Sequence, residues 1–491
     1  MKKMSIFLAE RCSKLRAGIC VALMFSMFTV YVQPGFAITP PAPKTNAQLL
    51  GGLLATNRLI IRDTHGLLGL NLTCLLFGCK VIEGIGDPNN QLYVVQVPNA
   101  LSLLVIVTQL LSGGGITNVE PDQAVTAQGA SVSTAPDYLY DHAPVSYYGA
   151  TVWHGYVAQT PNQIIRTAQT QSSFGVAGAN VTVAMIDTGV DTSNAVLKSH
   201  LVYGYDFTRN QTGGNEMADV TQSTMGVVDQ STMGVVDGSG EPAQLNQSTM
   251  GVVDQSTAGV VDGTPQYADF GHGTMTAGLV HLVAPQAKIM PLKAFGSNGT
   301  GYASDVLRAI YYAVNHGAKV ISMSFDFTSP SRELATAITY ATSRGVICVA
   351  SAGNDGAQEL VYPAALPNVI DVASTDNNNN PSAFSNYGAP PVWLSAPGEG
   401  VMTTYPFGTY AVGWGTSFSA PLVSGTVALM AGTNPGISEP GAAQALSHAQ
   451  PIGMSQYGYG VLDTYQAVQS AKSSASQTVT STGGGLLGFL F

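Results

Sequence analysis

The chain has 491 residues, of which 45% are hydrophobic and 10% are charged. This composition excludes a small disulfide-stabilised domain and an intrinsically disordered protein, because it supplies enough apolar side chains for a large core. The 29 acidic residues outnumber the 19 basic ones, and no basic segment could neutralise a run of phosphates, which excludes nucleic acid as a partner.

The N-terminus has the pattern of an export signal. Five basic residues precede an apolar run over residues 17–32, and small residues stand just before position 38. At about 16 residues the run is shorter than a membrane-spanning helix, and the small residues fit a signal-peptidase site. We therefore predict a signal peptide over residues 1–37, a secreted protein, and a mature form without a membrane partner. The alternative is a permanent membrane anchor.

Residues 46–125 alternate strand-like and helical patterns and predict a small α+β domain. The strand-like segments and one apolar segment are 58–62, 92–97, 101–111 and 116–122. In the same region Cys74 and Cys79 either form a bridge, which an oxidising compartment would allow, or remain two reduced core residues. The following residues, 126–160, are rich in Tyr, Pro and Ala without a sustained period, which predicts an exposed connector.

Residues 161–470 show short apolar runs separated by helical patterns. The runs are 181–186, 288–292, 319–323, 346–350, 369–373 and 392–396. Strands that are apolar on both faces are typical of a parallel sheet covered by helices. Helical patterns alternate with them at 275–282, 304–315, 332–343 and 418–431. We therefore predict an α/β domain with a doubly wound, mostly parallel central sheet, helices on both faces, and a buried Cys348.

Two segments interrupt or follow this pattern. The octapeptide QSTxGVVD occurs four times within residues 219–263. Four units of this length inside one loop cannot form their own core, so we predict a surface insertion that is either filler, a contact surface or specific in function. The tail over residues 471–491 is rich in Ser, Thr and Gly and is predicted to be disordered, with an apolar end that is either inert or a docking element.

Three motifs carry candidate chemistry. Asp187, in D-T-G-V-D, follows the first buried strand, at the sheet edge where parallel α/β proteins bind ligands; the alternative is a turn or helix cap. His272 has a glycine on each side, which lets another backbone approach the imidazole closely. Ser417 opens a helix whose Pro421 is tolerated only in the first turn, and a helix N-terminus favours a developing negative charge.

The chain order of these residues is informative. Asp, then His, then Ser, each at a strand–helix junction, is one of the orders in which serine-hydrolase triads occur. Together with S-M-S at 322–324, S-A-G-N at 351–354 and S-A-P-G at 395–398, these motifs resemble the subtilisin-like serine proteases over about residues 162–468.

The resemblance implies an endopeptidase that cleaves protein or peptide substrates. Ser417 would attack the peptide carbonyl, His272 would act as base and then acid, and Asp187 would orient the imidazole. Asn354 would donate to the oxyanion together with the Ser417 N–H. This chemistry requires no cofactor.

The resemblance also implies an extended substrate between two backbone edges. The candidate substrate-binding residues are Gly299, Thr300 and Gly301 on one side, Ser324, Phe325 and Asp326 on the other, and Gly353. Asp326 stands where family members carry a small residue. Its carboxylate either favours basic residues in a nearby subsite or faces solvent.

Two features depart from the family pattern. Asp187 and His272 are 85 residues apart, a longer interval than usual, because it contains the repeats. Loop entropy rises slowly with length, so the fold can accommodate this insertion. After D-T-G-V-D the chain lacks the histidine, proline and acidic residue common in the family, so the sequence does not support a structural calcium site.

The segment I-T-N-V-E-P-D-Q-A-V, residues 116–125, resembles the closing strand of the subtilisin prodomain. This resemblance implies that residues 46–125 assist folding and block the cleft in cis until a cut between residues 128 and 156; the alternative is an unrelated accessory domain. We expect a monomeric, self-processing zymogen. Rival functions are a catalytically idle surface or adhesion protein that binds through the repeats, and an esterase or peptide ligase with the same triad.

Overall fold

The structure, a computed structural model, describes most of the chain from residue 57 onward. The described residues are 57–98, 115–125, 136–219, 251–252, 269–388 and 392–483. The predicted signal peptide, the apolar segment 101–111, nearly all of the repeats and the apolar end of the tail lie outside them.

The described part of residues 57–125 contains a four-stranded antiparallel sheet in the order β2-β3-β1-β4. The elements are β1 (Arg58–Asp63), α1 (Gly66–Phe77), β2 (Lys80–Gly84), β3 (Leu92–Gln96), β4 (Ile116–Pro121) and β5 (Ala124–Val125). Leu70 of α1 packs against Leu59 and Ile61 of β1 in a small separate core. Cys74 and Cys79 form a disulfide, so the bridged alternative is the one that the structure contains.

The prediction of an exposed connector over residues 126–160 was wrong for its described part. Residues 137–174 form a short 3-10 helix (Asp137–Tyr140), a hairpin of β6 (Pro144–Tyr147) and β7 (Ala150–Trp153), and helices α2 (His154–Ala158), α3 (Thr160–Ile164) and α4 (Thr167–Phe174). Leu139, Val152 and Tyr156 are buried in the core of the larger domain. The elements are too short to give a sequence period, and tertiary packing stabilises them.

An eight-stranded sheet forms the centre of the larger domain, in the order β10-β9-β12-β8-β14-β15-β16-β17. Its strands are β8 (Thr182–Asp187), β9 (Tyr205–Asp206), β10 (Gln211–Thr212), β12 (Lys288–Lys293), β14 (Val320–Met323), β15 (Ile347–Ser351), β16 (Val369–Thr375) and β17 (Leu394–Pro397). Every pairing is parallel except that of β9 with β10. The prediction of a mostly parallel sheet is confirmed.

Helices cover both faces of this sheet. They are α5 (His272–Val283), α6 (Ala303–Asn315), α7 (Arg332–Ser343), α8 (Thr416–Thr433), α9 (Glu439–Leu446) and α10 (Thr464–Gly483). Along β8, Val183 and Met185 belong to the core that contains α5 and α8, whereas Ala184 and Ile186 belong to the core that contains α6 and α7. Alternate residues of a strand point to opposite faces, so the uniformly apolar pattern arises from burial on both sides.

Two smaller sheets adjoin the central one. In the first, β18 (Val401–Tyr405) and β19 (Thr409–Gly413) form a hairpin that also pairs with β11 (Gly251–Val252), a dipeptide of the third repeat. In the second, β13 (Gly301–Tyr302) pairs with β5. No helix among the described residues is long and apolar enough to cross a membrane.

The prediction of a disordered tail from residue 471 was wrong for residues 471–483, which continue α10. Extending an existing helix requires no new nucleation. Ala471 is buried, and its carbonyl accepts a hydrogen bond from Asn434 Nδ2 at 3.2 Å. These contacts attach the start of this segment to the domain.

Candidate active site

Asp187 and His272 meet at the carboxyl edge of the central sheet. Asp187 is the last residue of β8, and His272 is the first residue of α5. Both are buried, and His272 Nδ1 lies 2.7 Å from Asp187 Oδ1. This hydrogen bond fixes the imidazole so that its other nitrogen, Nε2, remains available as a base.

Two further donors hold the Asp187 carboxylate. Its Oδ1 accepts the Thr188 N–H at 2.7 Å, and its Oδ2 accepts the Thr276 hydroxyl at 3.0 Å. Thr276 did not emerge from the sequence analysis. The available signal was its spacing, because a residue four positions after His272 lies on the same face of α5.

Glycines allow the loops that carry these residues to approach each other closely. A Cβ on Gly273 would lie 1.8 Å from the carbonyl oxygen of Gly189, so no residue with a side chain fits at position 273. The sequence analysis attributed the glycines around His272 to a backbone approach, and here the approaching backbone is the turn that follows Asp187.

Ser417 lies at the start of α8, and the residue after it contacts the imidazole. Its hydroxyl donates to the Ser324 carbonyl at 3.3 Å, and the ring of the next residue, Phe418, has its centroid 5.7 Å from that of His272. Within the described part of the chain, Ser417 Oγ makes no hydrogen bond with His272. Such bonds are often long in enzymes without substrate and shorten when substrate binds.

The Asn354 side chain has a defined orientation. Its Oδ1 accepts both the N–H and the hydroxyl of Thr416, each at 2.9 Å. These two hydrogen bonds fix the plane of the amide with its oxygen toward Thr416, and the Nδ2 group is the donor of this side chain. Thr416 directly precedes Ser417, whose own N–H lies in the first turn of a helix, where amides lack intrahelical acceptors. The Asn354 side chain is therefore anchored to the residue that directly precedes Ser417.

Negative charge surrounds the imidazole. Burial lowers the pKa of His272, but the carboxylates of Asp187, Asp269 and Glu216 outweigh burial and raise the pKa to about 9. Asp269 is buried, its carboxyl oxygens have no hydrogen-bond partner among the described residues, and burial raises its pKa to about 7. No group of acidic, His and Cys side chains in the described ranges has the arrangement of a metal site.

One predicted substrate edge is occupied by the N-terminal domain. Gly301 pairs with Val125 of β5, and Gly299 and Thr300 form the turn before it. On the other edge, Ser324 exchanges hydrogen bonds with Ser417, and Phe325 is buried against Phe295 at a ring-centroid distance of 4.9 Å. The side chain of Phe325 is therefore part of the core.

Asp326 lies half-buried beside Gly353. A Cβ on Gly353 would lie 3.3 Å from Asp326 Oδ2, and the backbone there has a φ of +95°. Burial, together with the negative charges of Asp355 and Glu359, raises the pKa of Asp326 to about 6. The carboxylate is thus next to the loop that carries Asn354, in negatively charged surroundings.

Comparisons with known proteins agree with this geometry. The sequence profile described as "Subtilase family" matches residues 178–475. Subtilisin Savinase of Lederbergia lenta is 41% identical over 174 residues, which are 34% of this chain and 64% of that protein. Thermitase of Thermoactinomyces vulgaris is 39% identical over 210 residues, 40% of this chain and 75% of that protein. The chain therefore spans less than two thirds of the first of these relatives.

A solved structure shows the same fold. Fervidolysin from Fervidobacterium pennivorans, described as a keratinolytic enzyme related to subtilisin, superposes with a TM-score of 0.61 at 21% identity. The match covers 84% of this chain and 61% of that one.

Proposed function

The chain belongs to the subtilase family, and from this premise we propose that it is a secreted serine endopeptidase made as a self-processing zymogen. The observation that carries the proposal is the buried Asp187–His272 hydrogen bond of 2.7 Å, next to a serine at a helix N-terminus. Asn354, held through Thr416, supplies a donor at the same place.

In the proposed acylation step, the Ser417 hydroxyl leaves the Ser324 carbonyl and attacks the substrate carbonyl carbon. His272 Nε2 takes the hydroxyl proton, and Asp187 stabilises the resulting imidazolium. The Asn354 Nδ2 and the Ser417 N–H donate to the oxyanion. The imidazolium then protonates the leaving amine, and the C–N bond breaks to give an acyl-enzyme.

In the proposed deacylation step, a water molecule replaces the amine. His272 takes a proton from this water as it attacks the ester carbon, the same two donors hold the oxyanion, and the proton returns to Ser417 as the acid leaves. Apart from this water molecule, the proposed steps use side chains and backbone groups of this chain.

Labelling with a serine-directed fluorophosphonate, followed by a casein digest, tests the proposal. We expect labelling of the wild-type protein, no labelling of Ser417→Ala, and cleavage of casein. Labelling without proteolysis would favour an esterase or ligase. An unlabelled wild-type protein would favour a catalytically idle binding protein.

Asn354→Leu should lower kcat by about 10²–10³-fold with little change in KM, because it removes a donor that acts mainly on the transition state. Steady-state kinetics on a peptide substrate measure the effect. Thr416→Val is the matched control: it removes one of the two groups that hold the Asn354 oxygen and leaves the amide donor, so its loss should be much smaller. Equal losses in the two variants would contradict the role of the amide.

The contacts of the N-terminal domain support its role as a prodomain. Strand β5 extends the sheet at Gly301, where the substrate is proposed to bind, so it competes for the same backbone groups. Arg62 of β1 forms a salt bridge with Glu333 of α7 at 2.5 Å. The N-terminal domain therefore contacts the peptidase domain both by strand pairing next to the proposed cleft and by a salt bridge on α7.

Asp122 makes the most specific of these contacts. It follows β4, and its carboxylate accepts the N–H and the hydroxyl of Ser304, each at 2.9 Å, in the first turn of α6. A carboxylate at this place satisfies free helix N–H groups and interacts favourably with the helix dipole. Arg58 pairs with the same carboxylate at 2.9 Å.

Processing is proposed to occur between residues 128 and 156. The core contacts favour a cleavage site near the start of this interval. Leu139 and Val152 are buried in the peptidase domain, so a cut beyond them would remove part of its core. Export is proposed through the signal peptide over residues 1–37, and the Cys74–Cys79 disulfide is typical of an oxidising compartment.

Asp326 is proposed to favour basic substrate residues. We expect the ratio of kcat/KM for lysyl over leucyl peptides to rise with pH through about 6, because the carboxyl ionises there. Asp326→Asn should lower the ratio at pH 8 roughly tenfold, as expected for one partly solvated charge pair. Pairs of peptides that differ only in having a lysyl or a leucyl residue at one position measure this ratio.

Asp376→Asn provides the control for the Asp326 experiment. Asp376 is a carboxylate in a turn after β16, where it accepts N–H groups of Asn378 and Asn380. This variant should retain the wild-type ratio. An unchanged ratio in Asp326→Asn would mean that the carboxylate does not contact the substrate.

A further inference from the structure

Glu216 lies where three loops meet behind the Asp187–His272 pair. It is 1% exposed and begins the 3-10 helix Glu216–Asp219. Its loop packs against the turn after Asp187, because the Val190 N–H donates to the Gly214 carbonyl at 2.9 Å. A Cβ on Gly189 would lie 2.9 Å from the Glu216 nitrogen, so the contact requires glycine.

The Glu216 carboxylate joins the two loops that carry Asp187 and His272. Its Oε2 accepts the N–H of Gly271 at 2.9 Å and the hydroxyl of Thr188 at 3.3 Å. Thr188 directly follows Asp187, and Gly271 directly precedes His272. One side chain therefore bonds to a neighbour of each residue in the pair.

Two threonines extend this connection. The Thr188 hydroxyl accepts the Gly273 N–H at 2.9 Å, and the Thr274 hydroxyl donates to Glu216 Oε1. The residues on both sides of His272 are thus linked, directly or through one hydroxyl, to Glu216. Its carboxylate makes no hydrogen bond to Asp187 or His272 themselves among the described contacts.

We propose that Glu216 is a positioning residue, which sets the distance and orientation of Asp187 and His272 by joining their loops. This inference rests on the proposed peptidase function. Small displacements of reacting groups are costly, since about 1 Å can lower a rate by about 10²-fold.

The charges around Glu216 make its effect dependent on pH. The pKa of Glu216 is raised to about 8, chiefly by burial. The Thr274 hydrogen bond and the charge of Lys293 lower it, whereas the charges of Asp191 and Asp187 raise it. The buried Lys293 ammonium is itself held by the Thr188 carbonyl and Asp219, each at 2.7 Å. Tyr405 and His272 also interact electrostatically with Glu216.

In its ionised form, the Glu216 carboxylate is one of the charges that raise the pKa of His272. Removing the charge should lower the pKa of His272. The acid limb of the pH profile, where kcat/KM falls because His272 becomes protonated, should therefore move to lower pH. A purely structural side chain would not move this limb.

Two variants separate geometry from charge. Glu216→Gln keeps the length but removes the charge and two lone-pair acceptors, so we expect kcat to fall roughly 10–100-fold, KM to stay within about twofold, and the acid limb to move to lower pH. Glu216→Asp keeps the charge but is too short to reach both loops. We expect it to lower kcat without moving the limb.

Kinetics are measured on purified enzyme, with rates divided by the fraction of sites titrated by the fluorophosphonate, so that misfolded material does not count. Asp371→Asn is the control, since Asp371 is a buried carboxyl on β16 that does not contribute to the pKa of His272. This variant should retain the wild-type kcat, and the acid limb of its kcat/KM profile should stay at the wild-type pH. If Glu216→Gln does not fold, Glu216→Asp and Thr188→Val test the same connection through kcat.

Wild-type kcat and an unmoved limb in folded Glu216 variants would overturn the proposal. So would equal losses in Asp371→Asn, which would mean that any buried carboxyl has this effect. An unlabelled and inactive wild-type protein would instead refute the peptidase function, so the two failures are distinguishable.

Discussion

Ser417→Ala should lower kcat/KM for a peptide substrate by about 10⁶-fold, the size of loss that removal of the nucleophile causes in subtilisin. The residual rate would come from the oxyanion donors and from substrate binding, which the substitution leaves in place. The change is small in structural terms, because Ser417 Oγ has a single hydrogen bond among the described residues, to the Ser324 carbonyl. Progress curves with a fluorogenic peptide measure the loss.

The same variant should remain at its unprocessed length. Prodomain removal is proposed to be the first reaction of the enzyme, so a chain without a nucleophile cannot perform it. Intact-mass measurement of the purified variant checks this expectation. If pure Ser417→Ala were cut at the wild-type position, self-processing would be wrong, although the peptidase proposal would remain.

Ser419→Ala is the control for both measurements. Ser419 lies on the same helix, is buried, and donates to the Ala396 carbonyl at 2.9 Å. The variant loses one hydroxyl next to the site, and we expect it to be processed and to retain kcat/KM within a few fold. An equal loss there would point to a general defect of helix α8.

Six strands of the central sheet were predictable, because they are apolar and buried on both faces, whereas the two-residue strands β9 and β10, of which β10 is exposed, were not. The run 181–186 became β8 (Thr182–Asp187), and 332–343 became α7 (Arg332–Ser343). Helix α5 instead begins at His272, three residues before the predicted start, because Gly271 adopts a φ of +91° and allows the chain to turn directly into the helix.

The supporting contacts of the site were not predictable, because they join residues that are distant in sequence. Asn354 is oriented by Thr416, 62 positions later, and Glu216 bonds to Gly271, 55 positions later. Neither contact has a sequence period or a motif. Asp122 likewise reaches Ser304 across 182 residues. Motifs identify residues with distinctive local geometry, whereas partners chosen by tertiary packing require the folded chain.

Asp187→Ala should lower kcat by about 10⁴-fold, as expected when the residue that orients the imidazole and stabilises its charge is lost. Without the carboxylate, His272 Nδ1 loses its acceptor and the ring loses its fixed orientation. Steady-state kinetics over a range of pH measure the loss. Asp206→Asn is the control, since Asp206 is another buried aspartate at the end of a strand of the same sheet and should retain wild-type kcat.

Asp187→Asn separates orientation from charge. Position Oδ1 accepts two hydrogen bonds, from Thr188 and His272, so the amide oxygen should remain there. The amide nitrogen would then face Thr276, whose hydroxyl can accept it because it already has the Gly273 carbonyl as an alternative acceptor at 3.1 Å. The imidazole would keep its orientation and lose only a neighbouring charge.

We therefore expect Asp187→Asn to lose less activity than Asp187→Ala and to move the acid limb of kcat/KM to lower pH, because the charge of Asp187 raises the pKa of His272. Equal losses in the two variants would contradict this expectation. They would mean that the charge of Asp187, which both variants remove, accounts for most of its effect, and that the acceptor kept in Asp187→Asn contributes little.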